Sequence, residues 1–368
     1  MGKVLGYFFM LLNILAAIWL GLCFAASVTR PGVYPYLPLF SITTPIAIVV
    51  NFIFLLLWLI SANGWRALLP AISLALCYKL ICSVFAFNFL ATNDFTPAPN
   101  HVKVMLWNVH GMGIYDKPHN NNATRIMNRI QQEAPDVLCA TEFYARYNDS
   151  MKPYSRKIMN DNGFKYFNYI SDNTLGTEML LGTSAYSKYP LSNMRTYLVG
   201  RSIYLLQVDV QLPGKMMRFF SMHLYSFRFN DDDREHLAEV RSTKNVTEED
   251  VVRSKKIVRR FDRNYIERAE EADNVAAIIA TSPYPVLVCG DFNDLPSSYT
   301  YNIIRGKLHD AFVDKGVGVG RTYNQIFPTL RIDHILYDAH ALNIIGFKCP
   351  SVNASDHNPV IANFEVKP

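Results

Sequence analysis

The first quarter of the chain limits the possible folds more than any other stretch. Val4 to Ala26 is almost wholly apolar, and a helix that crosses a bilayer needs about 20 such residues. A second apolar run goes from Pro45 to Ile60, which Leu37 to Phe40 can lengthen. A third runs from Ala67 to Phe89, interrupted by Pro70 and Lys79. A cleaved leader accounts for one such run, not three. The expectation is three membrane-spanning helices, with Lys79 near the middle of the third, where a charge faces the bundle or snorkels to a headgroup. Three spans send the two termini to opposite sides. Lys3 and Arg66 against Arg30 and Lys103 make a nearly flat charge bias, tilted toward an external C-terminal part. The expected setting is a bacterial inner membrane with that part on the periplasmic side.

Beyond the apolar runs, Ala91 to His101 is polar and contains proline, as linkers do. The expected division is therefore an anchor over residues 1–90, a linker over 91–101 and a soluble domain over 102–368. With 36 basic and 31 acidic residues the chain carries +5. That is mildly basic and not a nucleic-acid footprint by itself. Of six cysteines, Cys23, Cys77 and Cys82 lie in the spans, while Cys139, Cys289 and Cys349 fall in expected strands. No pair has metal spacing, and they read as small buried apolar residues.

The soluble part alternates strands and helices. Val102 to Trp107, Val137 to Ala140, Ser202 to Val210, Met216 to Met222, Val286 to Cys289, Arg331 to Leu336 and Val360 to Phe364 read as strands. Asn121 to Glu133 has helical spacing and stops at Pro135, and Glu248 to Ala280 is a long helix. Its basic residues, Lys255, Lys256, Arg259, Arg260, Arg263 and Arg268, contrast with the acidic run Asp231 to Asp233. A solvated helix face explains them; so would a patch facing an anionic membrane or polyanionic substrate.

The chemistry sits at strand ends. Asp291 and Asn293 leave the strand Val286–Cys289 two residues apart, so they point the same way. A plain turn would use the same residues. Asn108, Glu142, His223, Asp333 and the stretch Ser355-Asp356-His357 repeat the pattern at other strand ends. Glu142, Asp333 and Asn108 are hard oxygen donors of the kind that suits Mg²⁺. Phosphate-ester hydrolysis needs an activated water, charge neutralisation on the phosphoryl oxygens and help for the leaving oxygen. This set has a candidate for each.

In order and type, these motifs resemble the endonuclease/exonuclease/phosphatase superfamily, over about Val102 to Glu365. The resemblance implies an α/β fold: a four-layer sandwich of two mixed sheets flanked by helices. It implies Mg²⁺, or Mn²⁺ in its place, held by Glu142 with Asn108 beside it. Asp291 would orient or deprotonate the attacking water, and Asn293 would hold that water or a phosphoryl oxygen. His357 would contact the scissile phosphate, as proton donor or charge stabiliser. Asp333 would fix a catalytic histidine, Asp356 would orient His357 or touch metal, and His223 would be the second histidine. His101, His110, His119 and His334 have no such match and are expected to be non-catalytic.

His110 stands where the repair nucleases of the superfamily usually carry an acid. Ser221-Met222-His223-Leu224 is closer to the phosphatase and sphingomyelinase branches than to their tyrosine-centred motif. The expected activity is a membrane-tethered phosphoesterase acting on a lipid headgroup or small phosphorylated substrate. Tyr225, Phe227 and Phe229 are candidates to dip into the membrane interface. A membrane-anchored nuclease, with nucleic acid as substrate, is the first alternative. A non-catalytic anchored binding module is the second. Oligomeric state is not legible.

Overall fold

A computed structural model describes residues 3–61, 64–114, 121–146, 152–175, 179–226, 247–325 and 330–368. Two units emerge. One comprises Met1–Ile81, Tyr225–Glu270 and Ser297–Asn302; the other comprises Cys82–Leu224, Glu271–Pro296 and Ile303–Pro368.

In the first unit, Lys3–Val28 and Phe40–Ile60 are helices. Leu5–Val28 and Leu37–Ile60 are long and apolar enough to cross a membrane. They turn Leu11, Leu15, Ile18, Phe52, Ile53 and Leu56 outward, an arrangement that lipid tolerates and water does not. Two polar contacts tie them together: Trp19 Nε1 donates to Thr43 Oγ1 (2.9 Å), and Asn51 Nδ2 donates to the Ala16 carbonyl (2.9 Å). The third apolar run is not one straight helix. Gly64–Leu76 and Tyr78–Val84 are separate helices bent by 65°, and together they make the third span only as a broken pair. Lys79 is exposed at the start of the short helix, beyond the bend, rather than in the middle of a continuous span.

The long helix forms over Glu248–Ala280. Lys255, Lys256, Arg259 and Arg263 are exposed. Arg268 is buried, with its guanidinium over the Tyr265 ring and Nη1 donating to the Tyr225 carbonyl (3.2 Å). The basic stretch is thus partly a solvated face and partly internal packing. The acidic run Asp231 to Asp233, together with His119, Phe227 and Phe229, lies outside the described residues.

The second unit holds two six-stranded sheets. Its strands are β1 (Ala86–Phe87), β2 (His101–Asn108), β3 (Val137–Arg146), β4 (Tyr166–Leu175), β5 (Met179–Ser187), β6 (Leu191–Leu198), β7 (Tyr204–Leu212), β8 (Lys215–His223), β9 (Val286–Asp291), β10 (His309–Asp310), β11 (Val317–Gly318), β12 (Asp333–Tyr337), β13 (Leu342–Lys348) and β14 (Val360–Val366). One sheet has the order β10-β12-β9-β8-β7-β6, the other β13-β14-β2-β3-β5-β4. Each is mixed, with β8 parallel to β9 and β2 parallel to β3. A core of Val104, Leu106, Cys139, Leu206, Phe219, Leu287, Cys289 and Ile335 draws on both sheets. The other face of the second sheet packs Met105, Trp107 and Leu138 against Ile126 and Ile130 of the helix Asn122–Glu133 and Ile158 of the helix Lys152–Asn162. Apolar side chains on both faces of β2 and β3 explain why these strands read as continuous apolar runs. Cys349 lies just past β13 rather than in a strand, and its thiol donates to the Arg321 carbonyl (3.4 Å).

The topology brings many polar strand ends to one edge. Asn108 and His223 close β2 and β8, and Asp291 closes β9. Asp333 opens β12, which runs antiparallel to β9 and pairs Asp333 directly with Asp291. His357 precedes β14, which runs antiparallel to β2.

Candidate active site

Asp291 is the centre of the arrangement and is fully buried. It is reached through Gly290, where a side chain is sterically barred: a Cβ would lie 2.7 Å from Met222 Cγ. Asp291 Oδ2 accepts from Asn108 Nδ2 (3.0 Å), and Oδ1 accepts from the Asn293 backbone N–H (2.9 Å). Two imidazoles flank Oδ2, with His357 Nε2 and His223 Nε2 each 3.8 Å away. Burial pushes the Asp291 carboxyl up to about 6, and the neighbouring Asp333 carboxylate pushes the same way; His357, His223 and the Asn108 hydrogen bond pull back.

Asp333 is also buried, and its Oδ2 lies 2.8 Å from His357 Nδ1. Burial alone would discourage charge on His357. Asp333 and Asp291, the hydrogen bond to Asp333 and then Asp356 outweigh it, and raise His357 to about 10. The ring is therefore an imidazolium at neutral pH, donating from Nδ1 to Asp333. Ser355 Oγ donates to the Asn108 carbonyl (2.8 Å) and accepts from the His357 N–H (3.1 Å), while Trp107 Nε1 donates to the His357 carbonyl (2.9 Å). The end of β2 thus fixes the loop that carries the histidine.

Glu142 sits where β3 bulges against β5, between Ala140 and Phe143, with a left-handed φ of 47°. A bulge re-aims a side chain, and here it turns Glu142 toward the strand-end cluster. Oε1 accepts from Asn108 Nδ2 (3.2 Å) and lies 3.6 Å from His223 Nε2. Burial opposes its ionisation, but His223 and His357, the Asn108 bond and His110 together hold the carboxyl below its ordinary value. Asn108 spans the two carboxylates, and its own Oδ1 accepts from the His110 N–H (3.0 Å). Its amide is committed at both ends, which makes it a positioning group. Asn293, also left-handed (φ 49°), donates from Nδ2 to the Leu224 carbonyl (2.9 Å), tying the segment after β8 to the segment after β9.

Among the described residues one group of three donors lies close enough together to hold a divalent cation. Ligand atoms of Asp291, Asp333 and His357 lie within 4.8 Å of one another, all buried. A cation there would compete with the 2.8 Å Asp333–His357 bond. Glu142 and Asp356 are 23% and 18% exposed and carry hard oxygen donors of the kind Mg²⁺-class ions take. Asp333 Oδ1 is buried with no hydrogen-bond partner, which leaves one acceptor available to a bound group.

Three residues add to the set read from sequence. Thr322 Oγ1 accepts from the Ile332 and Asp333 N–H groups (3.0 and 3.2 Å), and the Tyr323 ring meets His357 edge-on at 4.9 Å. No motif marks either. His110, expected to stand aside, lies in the cluster, with Nδ1 3.3 Å from Asp356 Oδ1 and 3.7 Å from Glu142 Oε2. Its place two residues after Asn108 was the available signal. His334 is fully buried in a separate cluster with Asp310 and Arg331, and His101 lies on the surface, its Nδ1 2.8 Å from the Thr96 carbonyl.

The sequence profile of the endonuclease/exonuclease/phosphatase family matches residues 105–357, and a domain of unknown function, DUF8431, matches residues 6–84. No curated protein matches the chain by sequence. Among solved structures, an endonuclease/exonuclease/phosphatase from Beutenbergia cavernae DSM 12333 is similar over 73% of this chain and 72% of its own, at 17% identity and a TM-score of 0.52. The human Nocturnin catalytic domain is similar over 74% and 97%, at 16% identity and 0.52. A family protein from Bacteroides thetaiotaomicron is similar over 73% and 96%, at 14% identity and 0.50. At these identities the likeness is one of fold.

Proposed function

Because the chain belongs to the endonuclease/exonuclease/phosphatase family, we propose that it is a membrane-tethered phosphoesterase dependent on Mg²⁺ or Mn²⁺, hydrolysing a lipid headgroup or small phosphorylated substrate by attack of water. The observation that carries this reading is the pairing of Asp291, raised to about 6, with His357, raised to about 10, around one point at the strand ends. Near neutral pH the first is a carboxylate able to accept a proton, and the second is a cation able to give one.

An oxygen placed about 2.8 Å from Asp291 Oδ2, a normal hydrogen-bond distance, can also meet His223 Nε2 and His357 Nε2, each of which lies 3.8 Å from Asp291 Oδ2. Asp291 Oδ2 then takes the proton of the attacking water, while Asn108 Nδ2 holds the carboxylate in place. His357 Nε2–H faces the phosphoryl group and stabilises its charge or protonates the leaving oxygen, with Asp333 fixing the ring from Nδ1. His223 Nε2, buried without a hydrogen-bond partner, is available to a phosphoryl oxygen. A divalent ion at Glu142 would supply charge neutralisation on the phosphoryl oxygens. The apolar helices support a bilayer as the setting, where tethering raises the local concentration of lipid substrates. The domain over residues 102–368 is proposed as the catalytic part, and 1–90 as the anchor, joined by 91–101.

The test is hydrolysis by the full-length protein in lipid vesicles, screened over phospholipids, inositol phosphates, sugar phosphates and plasmid DNA, with and without chelator. Metal-dependent release from a lipid or small phosphoester is expected. Faster cleavage of DNA would make it an anchored nuclease. No hydrolysis of any phosphoester, with metal shown to bind, would make it a binding module.

A further inference from the structure

The helix Glu248–Ala280 carries a basic stretch that the proposed chemistry leaves unused. Between residues 253 and 263 it holds Arg253, Lys255, Lys256, Arg259, Arg260 and Arg263 against a single acid, Asp262. Lys255, Lys256, Arg259 and Arg263 are exposed, and their spacings of three and four place them on one side of an α-helix. None of these four forms an ion pair among the described residues. The opposite side, with Ile257, Asn264, Tyr265 and Arg268, is buried. The lone acid is turned elsewhere: Asp262 Oδ1 accepts from the Tyr36 N–H (3.1 Å). One turn further on, Ile266 packs on Gly32, where a Cβ would lie 3.5 Å from Ile266 Cγ1, and the Tyr265 hydroxyl lies 3.4 Å from Ser41 Oγ.

Gly32 and Tyr36 belong to the loop that joins the two long apolar helices, Leu5–Val28 and Leu37–Ile60. In a bilayer that loop lies at the level of the headgroups. Val33, Tyr34 and Tyr36 are exposed on it, and amphipathic rings collect at that level. Residues 255, 259, 262 and 266 form one row along the long helix, four, three and four apart. The row that rests on the loop at Asp262 and Ile266 therefore carries Lys255 and Arg259 one to two turns earlier, within about 10 Å along the axis. Lys256 and Arg263 flank it. Resting on the reading that the apolar helices span a bilayer, we propose that this row is a docking surface for anionic phospholipid headgroups, with lipid phosphates as the counter-ions of the four side chains. Each Lys or Arg held against such a surface adds attraction, and the one acid of the stretch is engaged by the loop, so it does not repel the lipid. A face that needed only solvation would have no reason to set its cations in the row that continues the anchor contact.

The probe is phosphatidylglycerol. Full-length protein is placed in lipid discs of phosphatidylcholine, with or without about one-third phosphatidylglycerol. Its lysines are labelled with a water-soluble acetylating reagent and read residue by residue by mass spectrometry. Labelling of Lys255 and Lys256 should fall at least about threefold in the anionic discs. It should return in about 1 M salt, where the reach of a charge shrinks to about 3 Å. Phenylglyoxal should report the same for Arg259 and Arg263. Equal labelling in the two kinds of disc overturns the proposal. So does protection that salt leaves in place, which would mean that protein covers the face. Protection by plasmid DNA in neutral discs, with none from phosphatidylglycerol, overturns it in favour of a nucleic-acid surface. The outcome is separable from the proposed activity. Salt-sensitive protection in a protein that hydrolyses no phosphoester retains the surface and rejects the function. Metal-dependent hydrolysis with equal labelling does the reverse.

Discussion

Two histidine–aspartate pairs lie one residue apart on β12 and behave oppositely. Asp333 opens the strand and meets His357 at 2.8 Å; the next residue, His334, points to the other face, where its Nδ1 lies 3.7 Å from Asp310 Oδ2. The second pair contains a third member. Arg331 Nη1 donates to Asp310 Oδ2 at 2.6 Å and reaches His334 Nδ1 at 3.2 Å, with its guanidinium over the Phe312 ring. Burial works against charge on Asp310, but Arg331 and His334 outweigh it and hold the carboxyl well below the usual range. Burial and the Arg331 cation together keep His334 neutral. Around Asp333 the neighbouring charge is instead another carboxylate, Asp291, and the proton goes to His357. The arginine decides the outcome: with it, the histidine–aspartate pair is a neutral-ring packing element; without it, the pair stores a proton at a site edge.

Removing either partner of the proposed proton pair should break the comparison most visibly. Asp291→Asn or His357→Ala should lower kcat by about a hundredfold or more, the usual loss when positioned acid–base help disappears. Near-normal rates in both would reduce the Asp333 side to packing, like its neighbour. Arg331→Ala should damage stability instead. It strands the Asp310 carboxylate in the core, and breaking a buried pair this way costs about 3–5 kcal/mol, read as a lower chemical-unfolding midpoint. An unchanged midpoint would remove the arginine from its deciding role.

Asp333→Asn tests the electrostatics directly. In the wild type, kcat/KM should fall below about pH 6 as Asp291 takes up a proton, and above about pH 10 as His357 loses one. Asp333 raises both groups, so its neutralisation should move both limbs to lower pH. If only the rate falls while the limbs stay, Asp333 acts by geometry rather than charge.

The site residues were legible because chain order and side-chain type carry them: Asn108, His223 and Asp291 end strands, Asp333 opens one, His357 precedes one and Glu142 follows the buried start of β3. The helix Glu248–Ala280 was readable end to end from its periodicity. Other elements lack such a signal. β6 is mostly exposed along its length, so no alternation marks it. β3 continues past Ala140, but the bulge at Glu142 breaks its period. β4 and β5 carry polar and small residues, and β5 has a glycine, Gly182, where a Cβ would overlap the Ile170 carbonyl. The third apolar run shows its composition but not its 65° bend. His110 reaches the cluster from a turn in which four successive residues, His110 to Gly113, have positive φ, a property of the folded loop. Arg331 reads as the start of a strand, and its tie to Asp310, 21 residues earlier, is a tertiary fact.

The smallest effect sharpens the comparison through its sign. His334 is held below its ordinary value of 6.5 by burial first and by Arg331, so the folded protein keeps it neutral while the unfolded chain protonates it. Unfolding then takes up a proton as pH falls below 6.5, and stability decreases in that direction. His357 has the opposite sign. Its folded value, about 10, lies above 6.5, so its contribution is complete below pH 6.5 and is lost as pH rises through 10. His334→Asn should therefore flatten the acid side of a stability–pH curve, measured on metal-free protein between about pH 5 and 8. His357→Asn should flatten the alkaline side, between about pH 6.5 and 10, and leave the acid side as it is. Activity of His334→Asn should stay within about threefold of wild type, since a group outside the reacting set supplies no acid–base help. The same slope in wild type and His334→Asn would mean that His334 is protonated in the fold after all, and that Arg331 does not separate the two pairs.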